Sequence, residues 1–208
     1  MLKLSLLTNF SNTDCKTLAP TWETLANDYL RESDVVIAKV DAEAENAKTL
    51  TKEQGISGFP TIKFFPKGSK EPEPYQGARS EAAFVAFLNS KAGTHRAVGG
   101  GLDAKAGTIA QLDDIVGKYV SSRSFGDLVA EVKKTVKGVQ DKYAQYYVKV
   151  AEKISQNEGY ASKEFERLSK IIQKGGSAPE KLNDIVSRSN ILRQFLGGKK
   201  GESGKDEL

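Results

Sequence analysis

Residues 1–93 alternate strand and helix signals, residues 108–197 carry helical periodicity alone, and a glycine-rich stretch separates them. That division sets the fold class: an α/β domain, then an all-α domain. Leu2, Leu4 and Leu6 alternate with Lys3 and Ser5, which predicts a short strand. From Cys15 to about Leu30, Leu18, Trp22, Leu25, Ala26 and Tyr29 fall on one helical face, with Asp14 placed to cap it. Val35 to Val40 is a near-continuous apolar run, expected as a buried strand. A helix over 44–54 ends at Gly55, and Thr61 to Phe65 is a third strand. A turn at 66–69, a short edge strand at Tyr75 and a helix from Ser80 to Lys91 complete the first part.

Five glycines lie between Gly93 and Gly107, so 94–107 is expected as an interdomain linker. Its Gly99-Gly100-Gly101 has neither the strand before it nor the lysine after it that a phosphate cradle needs. Beyond it, five amphipathic stripes predict a five-helix bundle over 108–197. Ser124 is expected to cap the second of these helices, and Ser177-x-x-Glu180 reads as a capping box opening the last. Tyr143, Tyr146 and Tyr147 fall on one stripe and are expected in the core rather than on a binding patch.

Cys15 is the only cysteine. Asn12 stands three residues before it, where the partner of a C-x-x-C pair would lie. A dithiol stores two electrons as an internal disulfide, and a single thiol cannot. The net charge of +4 with interspersed signs gives no reason to expect nucleic acid, and no apolar run is long enough for membrane insertion. His95 is the one histidine and has no ligand-type neighbours in sequence, so no metal and no cofactor is expected. Asn9-Phe10-Ser11 is a glycosylation acceptor triplet.

The last four residues, Lys205-Asp206-Glu207-Leu208, match the retrieval signal of the endoplasmic reticulum lumen, and 198–208 reads as a flexible arm presenting it. A retrieval receptor is thus an expected partner. The first residues carry too short an apolar stretch for a secretory leader. The expectation is a fragment, a misread start, or a chain numbered after leader removal.

Three stretches carry a family resemblance. Cys15-Lys-x-Leu-Ala-Pro-x-Trp-Glu, then Lys39-Val40-Asp41-Ala42, then Gly58-Phe59-Pro60-Thr61-Ile62-Lys63-Phe64-Phe65-Pro66-Lys67-Gly68 resemble the active domain of protein disulfide-isomerases. Residues 108–197 resemble the C-terminal helical domain of the D subfamily, which is shared with a redox-inactive chaperone of the endoplasmic reticulum. The resemblance implies a thioredoxin-like fold, truncated over 1–93, followed by the helical domain.

It also implies thiol–disulfide exchange on unfolded or disulfide-bonded client proteins in the lumen. Cys15 corresponds to the resolving cysteine. Pro60 corresponds to a cis proline that holds peptide together with Phe59 and Thr61. Lys39 corresponds to a buried lysine paired with a strand glutamate in proton relay, and Arg79 to an arginine that tunes the resolving thiol. The attacking cysteine, its neighbouring histidine and that glutamate have no counterparts here, so isomerase activity is expected to be impaired. The fold's first strand and helix have no room either, so the Val35–Val40 strand is expected to present an apolar edge, with Leu2–Leu7 serving as the second strand. A redox-inactive peptide-binding chaperone or adaptor, or an inactive truncated product, are the alternative readings.

Overall fold

The computed structural model describes residues 1–9 and 11–197, in two units, Met1–Asp103 and a second beginning at Ala104. The retrieval motif at 205–208 and the arm presenting it lie outside the described residues, as does Phe10.

The first unit is a four-stranded mixed sheet in the order β2-β1-β3-β4, with helices α1, α2 and α3. Strand β1 (Leu2–Thr8) pairs in parallel with β2 (Val35–Asp41) and antiparallel with β3 (Thr61–Phe65); β3 carries the two-residue β4 (Glu73–Pro74). The chain runs β1, α1 (Thr13–Asp28), β2, then a short 3-10 turn (Glu45–Ala47) leading into α2 (Lys48–Glu53), then β3, β4 and α3 (Glu81–Ala92).

The alternation in β1 predicted one buried face. In fact Leu4, Ser5, Leu6 and Leu7 are all buried, so both faces of β1 are covered over this stretch. The apolar run of β2 reads as a buried strand by composition and, through the resemblance, as an exposed apolar edge; the edge position is the one observed. Only Val35 is buried, and Val36, Ile37, Ala38 and Val40 are half-buried. The reason is position: among the described residues β2 is paired on one side only, by β1.

The core gathers Leu4 and Leu6 from β1, Trp22 and Leu25 from α1, and Phe84 and Leu88 from α3. Trp22 meets Phe84 edge to face, ring centroids 5.5 Å apart, an arrangement favoured by the ring quadrupoles. Trp22 is therefore a packing residue.

Helix α1 begins two residues earlier than the spacing predicted. Its cap is Asn12, not Asp14: the Asn12 side chain accepts the N–H groups of Asp14 and Cys15 at 2.9 and 3.1 Å. Ser80 caps α3 as expected, accepting Ala83 N–H at 3.3 Å, and Gly93 ends that helix in the left-handed region.

The stretch 94–107, read as a linker, is divided between the units. Residues 94–103 fold onto the first, where Arg96 is 6% exposed. Its Nε donates to Glu32 Oε1 at 2.6 Å, its Nη1 donates to the Gly100 carbonyl at 3.1 Å, and its own carbonyl accepts from Asn89 Nδ2 at 2.7 Å. Gly100 has φ +79, and a Cβ there would lie 3.0 Å from Asp28 Oδ1, so a side chain is strained on both counts. Composition marked the segment as irregular chain. The buried arginine that pins it has no local sequence signature.

In the second unit, Ala106 is buried and its carbonyl accepts from Asn190 Nδ2 at 3.1 Å. Its five helices are α4 (Ala110–Ser122), α5 (Phe125–Val136), α6 (Ala144–Gln156), α7 (Tyr160–Lys174) and α8 (Pro179–Phe195). Leu112, Val116, Leu128, Val132, Tyr147 and Leu192 are completely buried in its core. Tyr143 and Tyr147 are core and Tyr146 is half-buried beside them. The Tyr147 hydroxyl donates to Asp113 Oδ1 and accepts Ile109 N–H at 3.1 Å, so it satisfies the start of α4 from within the bundle. Burial pushes the Asp113 carboxyl up, against the pull of that tyrosine.

Two expected caps differ. Ser124 stands at the N-cap of α5 without a side-chain cap bond. Helix α8 starts at Pro179 with Ala178 at its N-cap, so the Ser177–Glu180 box does not form. Proline at the first helical position, with φ already preset, moves the start past Ser177.

Candidate functional site

The end of β1, the first turn of α1, the loop before β3 and the loop before α3 make one surface. The β1–β3 register sets Leu7 opposite Thr61, so β1 ends beside Pro60. The Phe59–Pro60 peptide bond is cis. Pro60 is buried, Phe59 and Thr61 are half-buried and Gly58 is exposed. Thr61 Oγ1 donates to the Gly58 carbonyl at 2.7 Å and closes this loop on itself.

Arg79 is exposed, and its Nη2 donates to the Pro60 carbonyl at 3.2 Å. It also lines an open cleft of about 260 Å³ with Asp14, Thr17, Leu18 and Thr21 of α1. One guanidinium therefore joins the proline loop to the first turns of α1. This brings together Pro60, Arg79 and the helix that carries Cys15.

Cys15 is at the third position of α1 and is 4% exposed. It lines a small cavity of about 60 Å³ with Thr8, Lys16, Ala19 and Lys39. A thiolate at a helix start is stabilised by the free N–H groups there. Here the N–H groups of Asp14 and Cys15 point to the Asn12 amide oxygen. Asn12 thus takes both the sequence position of an attacking thiol and the backbone donors that would hold its charge. The sequence carries the signal for this cap, an asparagine just before a helical stripe, but Asp14 offers the same capping chemistry two residues on.

Lys39 corresponds to a lysine that the resemblance makes buried, although the glutamate it would pair with has no counterpart here. Instead its side chain is 35% exposed, and its Nζ lies 3.6 Å from Glu23 of α1. Lys39 shares a sheet face with its register partner Leu6, a core residue packed with α1, so the lysine reaches Glu23 of that helix. Glu23 and Lys39 lie on different elements, α1 and β2, so no local spacing joins them in the sequence. A pair this exposed contributes about 0–1 kcal/mol.

A second polar cluster went unread. Asp28 is buried at the end of α1, and its Oδ2 has no hydrogen-bond partner among the described residues. Burial, then the adjacent Glu81 carboxyl, pushes Asp28 up to about 6, with Arg96 pulling the other way. Tyr29, pushed up to about 12 mainly by burial, donates to Asn89 Oδ1 at 2.9 Å. Among the described residues no group of three His, Cys, Asp or Glu could hold a metal ion. No helix there is long and apolar enough to cross a membrane.

Comparison with known proteins agrees with this architecture. A thioredoxin family model matches residues 9–90, and the model of the C-terminal domain of endoplasmic reticulum protein ERp29 matches residues 107–195. Protein disulfide-isomerase tigA of Aspergillus niger is 65% identical over 194 residues, covering 93% of this chain and 52% of the relative. Protein disulfide-isomerase erp38 of Neurospora crassa is 53% identical over 198 residues, covering 93% and 53%. Protein disulfide-isomerase 1 of Dictyostelium discoideum is 34% identical over 189 residues, covering 87% and 51%. The chain spans about half the length of these relatives. A thioredoxin domain followed by an ERp29-type helical domain, in that order, places the chain in the protein disulfide-isomerase family, D subfamily.

Proposed function

We propose that the protein serves thiol–disulfide chemistry and oxidative folding in the endoplasmic reticulum lumen, and that this chain's own part is to hold extended client segments rather than to turn over disulfides alone. The relatives named protein disulfide-isomerase support the first half, and the motif at Lys205–Leu208 supports the compartment and its retrieval receptor as partner. The observation that carries the second half is the capped helix start. Cys15 is buried, and the donors that would stabilise a thiolate are bonded to Asn12. Peptide holding is supported instead by a cis proline loop with an exposed Gly58, and by an exposed arginine across the cleft.

A single thiol that attacks a client disulfide forms one S–S bond and releases one client thiolate. It then stays covalently bound until an external thiol takes its place. Insulin reduction and suppression of client aggregation separate the two halves. The native chain is expected to reduce insulin at background rate and to suppress aggregation equally well before and after Cys15→Ser. Asn12→Cys should bring insulin reduction well above background while costing about 1 kcal/mol of helix capping. Robust reduction by the native chain, or loss of suppression in Cys15→Ser, would refute the holding role.

A further inference from the structure

The turn between β1 and α1 carries a chemistry that peptide holding does not use. Asn9 is half-buried and Ser11 exposed, in a segment outside the sheet and before the helix. Asn9 Oδ1 accepts Ser11 N–H at 2.7 Å, and the Asn9 carbonyl accepts Asn12 N–H at 3.1 Å. The asparagine side chain is therefore folded over the serine, and its Nδ2 makes no hydrogen bond among the described residues. Position 10, which lies outside the described residues, has only to be something other than proline. No other asparagine in the chain begins an Asn-x-Ser/Thr triplet.

The plain alternative is a chance triplet in a self-closing turn. Three observations weigh against it. The serine is open to solvent. Among the described residues the acceptor nitrogen has no hydrogen-bond partner. The bonds holding Asn9 are confined to 9–12, so presenting it disturbs neither sheet nor helix ladder.

We propose that Asn9 is an acceptor for N-linked glycosylation. This rests on the lumenal reading above. The donor class is an oligosaccharide carried on a polyprenyl diphosphate. Asn9 Nδ2 attacks C1 of the terminal sugar. The N–C1 bond forms, the bond from C1 to the diphosphate oxygen breaks, and the diphosphate leaves with the electron pair. The amide proton passes to a base of the transferase. No electron transfer is involved. Because β1 ends beside Pro60, the attached sugar sits at the rim of the surface that holds client chains.

The test is expression of the full chain in a eukaryotic secretory pathway behind a cleavable leader, scoring only chain protected from external protease by intact membranes. The expected result is a slower-migrating band that endoglycosidase H collapses. Asn9→Gln and Ser11→Ala should remove it, and Ser11→Thr should keep it. A protected chain that migrates as one endoglycosidase-insensitive band overturns the assignment. So does a slow band that survives Asn9→Gln. Because the leader supplies import, this outcome is independent of the lumenal reading. That reading fails separately if the protected, leader-bearing chain is not retained when its last four residues are intact.

Discussion

Asp28 shows how one buried carboxyl couples a local segment to pH. It faces Glu81 of α3, Arg96 and the Gly100 backbone of the segment 94–103. Glu81 in turn accepts Gly99 N–H at 2.7 Å, and Arg96 is held by Glu32. The carboxyl is raised from 3.8 to about 6, by burial first and Glu81 second. The folded state therefore binds more protons than the unfolded state between those values. Stability from this group is complete below 3.8 and is lost as pH rises through about 6. Denaturation midpoints of the native chain are expected to fall between pH 5 and pH 7. In Asp28→Asn, which keeps a neutral group of the same shape, that fall should shrink and the midpoint at pH 7 should rise. A chemical denaturation series at the two pH values checks both, and an unchanged slope in Asp28→Asn would show that Asp28 is not the group responsible. Nothing in the sequence announced this cluster. Asp28, Glu81 and Arg96 are far apart along the chain, and only the folding of 94–103 brings them together.

The strands and helices were legible to different depths, for physical reasons. Period and punctuation located every strand and helix of the first unit within a few residues, because amphipathic spacing and glycine stops are local signals. What spacing could not supply was neighbours. The run Val35–Val40 looks buried because it is apolar, yet its exposure depends on what pairs on its outer side. Caps failed for a related reason. Asn12, Asp14, Ser124 and Ser177 are all chemically competent caps, and the choice among them follows from where packing and Pro179 set the helix starts. For the candidate site the sequence names Pro60, Arg79 and Cys15 one by one but not the contacts around them, such as the Arg79 bond to the Pro60 carbonyl or Glu23 beside Lys39. The edge position of β2 has a measurable consequence. Val36, Ala38 and Val40 form a half-buried apolar row on the face away from α1, and such edges pair with other chains. Val36→Lys is expected to reduce concentration-dependent association in light scattering, with far-UV circular dichroism unchanged. Equal association in the variant would exonerate this edge.

At the level of the whole molecule, two separate cores stand behind one polypeptide. One is centred on Leu4, Leu25, Phe84 and Leu88, the other on Leu112, Leu128, Tyr147 and Leu192. Cooperative unfolding follows shared cores, so a chain with two need not melt as one. The only tryptophan, Trp22, belongs to the first core and reports on it alone, while most of the helical signal comes from the second unit. Leu25→Ala removes a completely buried side chain from the first core and should cost about 2–5 kcal/mol there. Leu192→Ala should cost a similar amount, about 2–5 kcal/mol, in the second. Leu25→Ala is expected to lower the midpoint seen by Trp22 fluorescence and leave the later or earlier helical transition where it was. Leu192→Ala should do the reverse. If either variant moved both transitions together, the two cores would be energetically one.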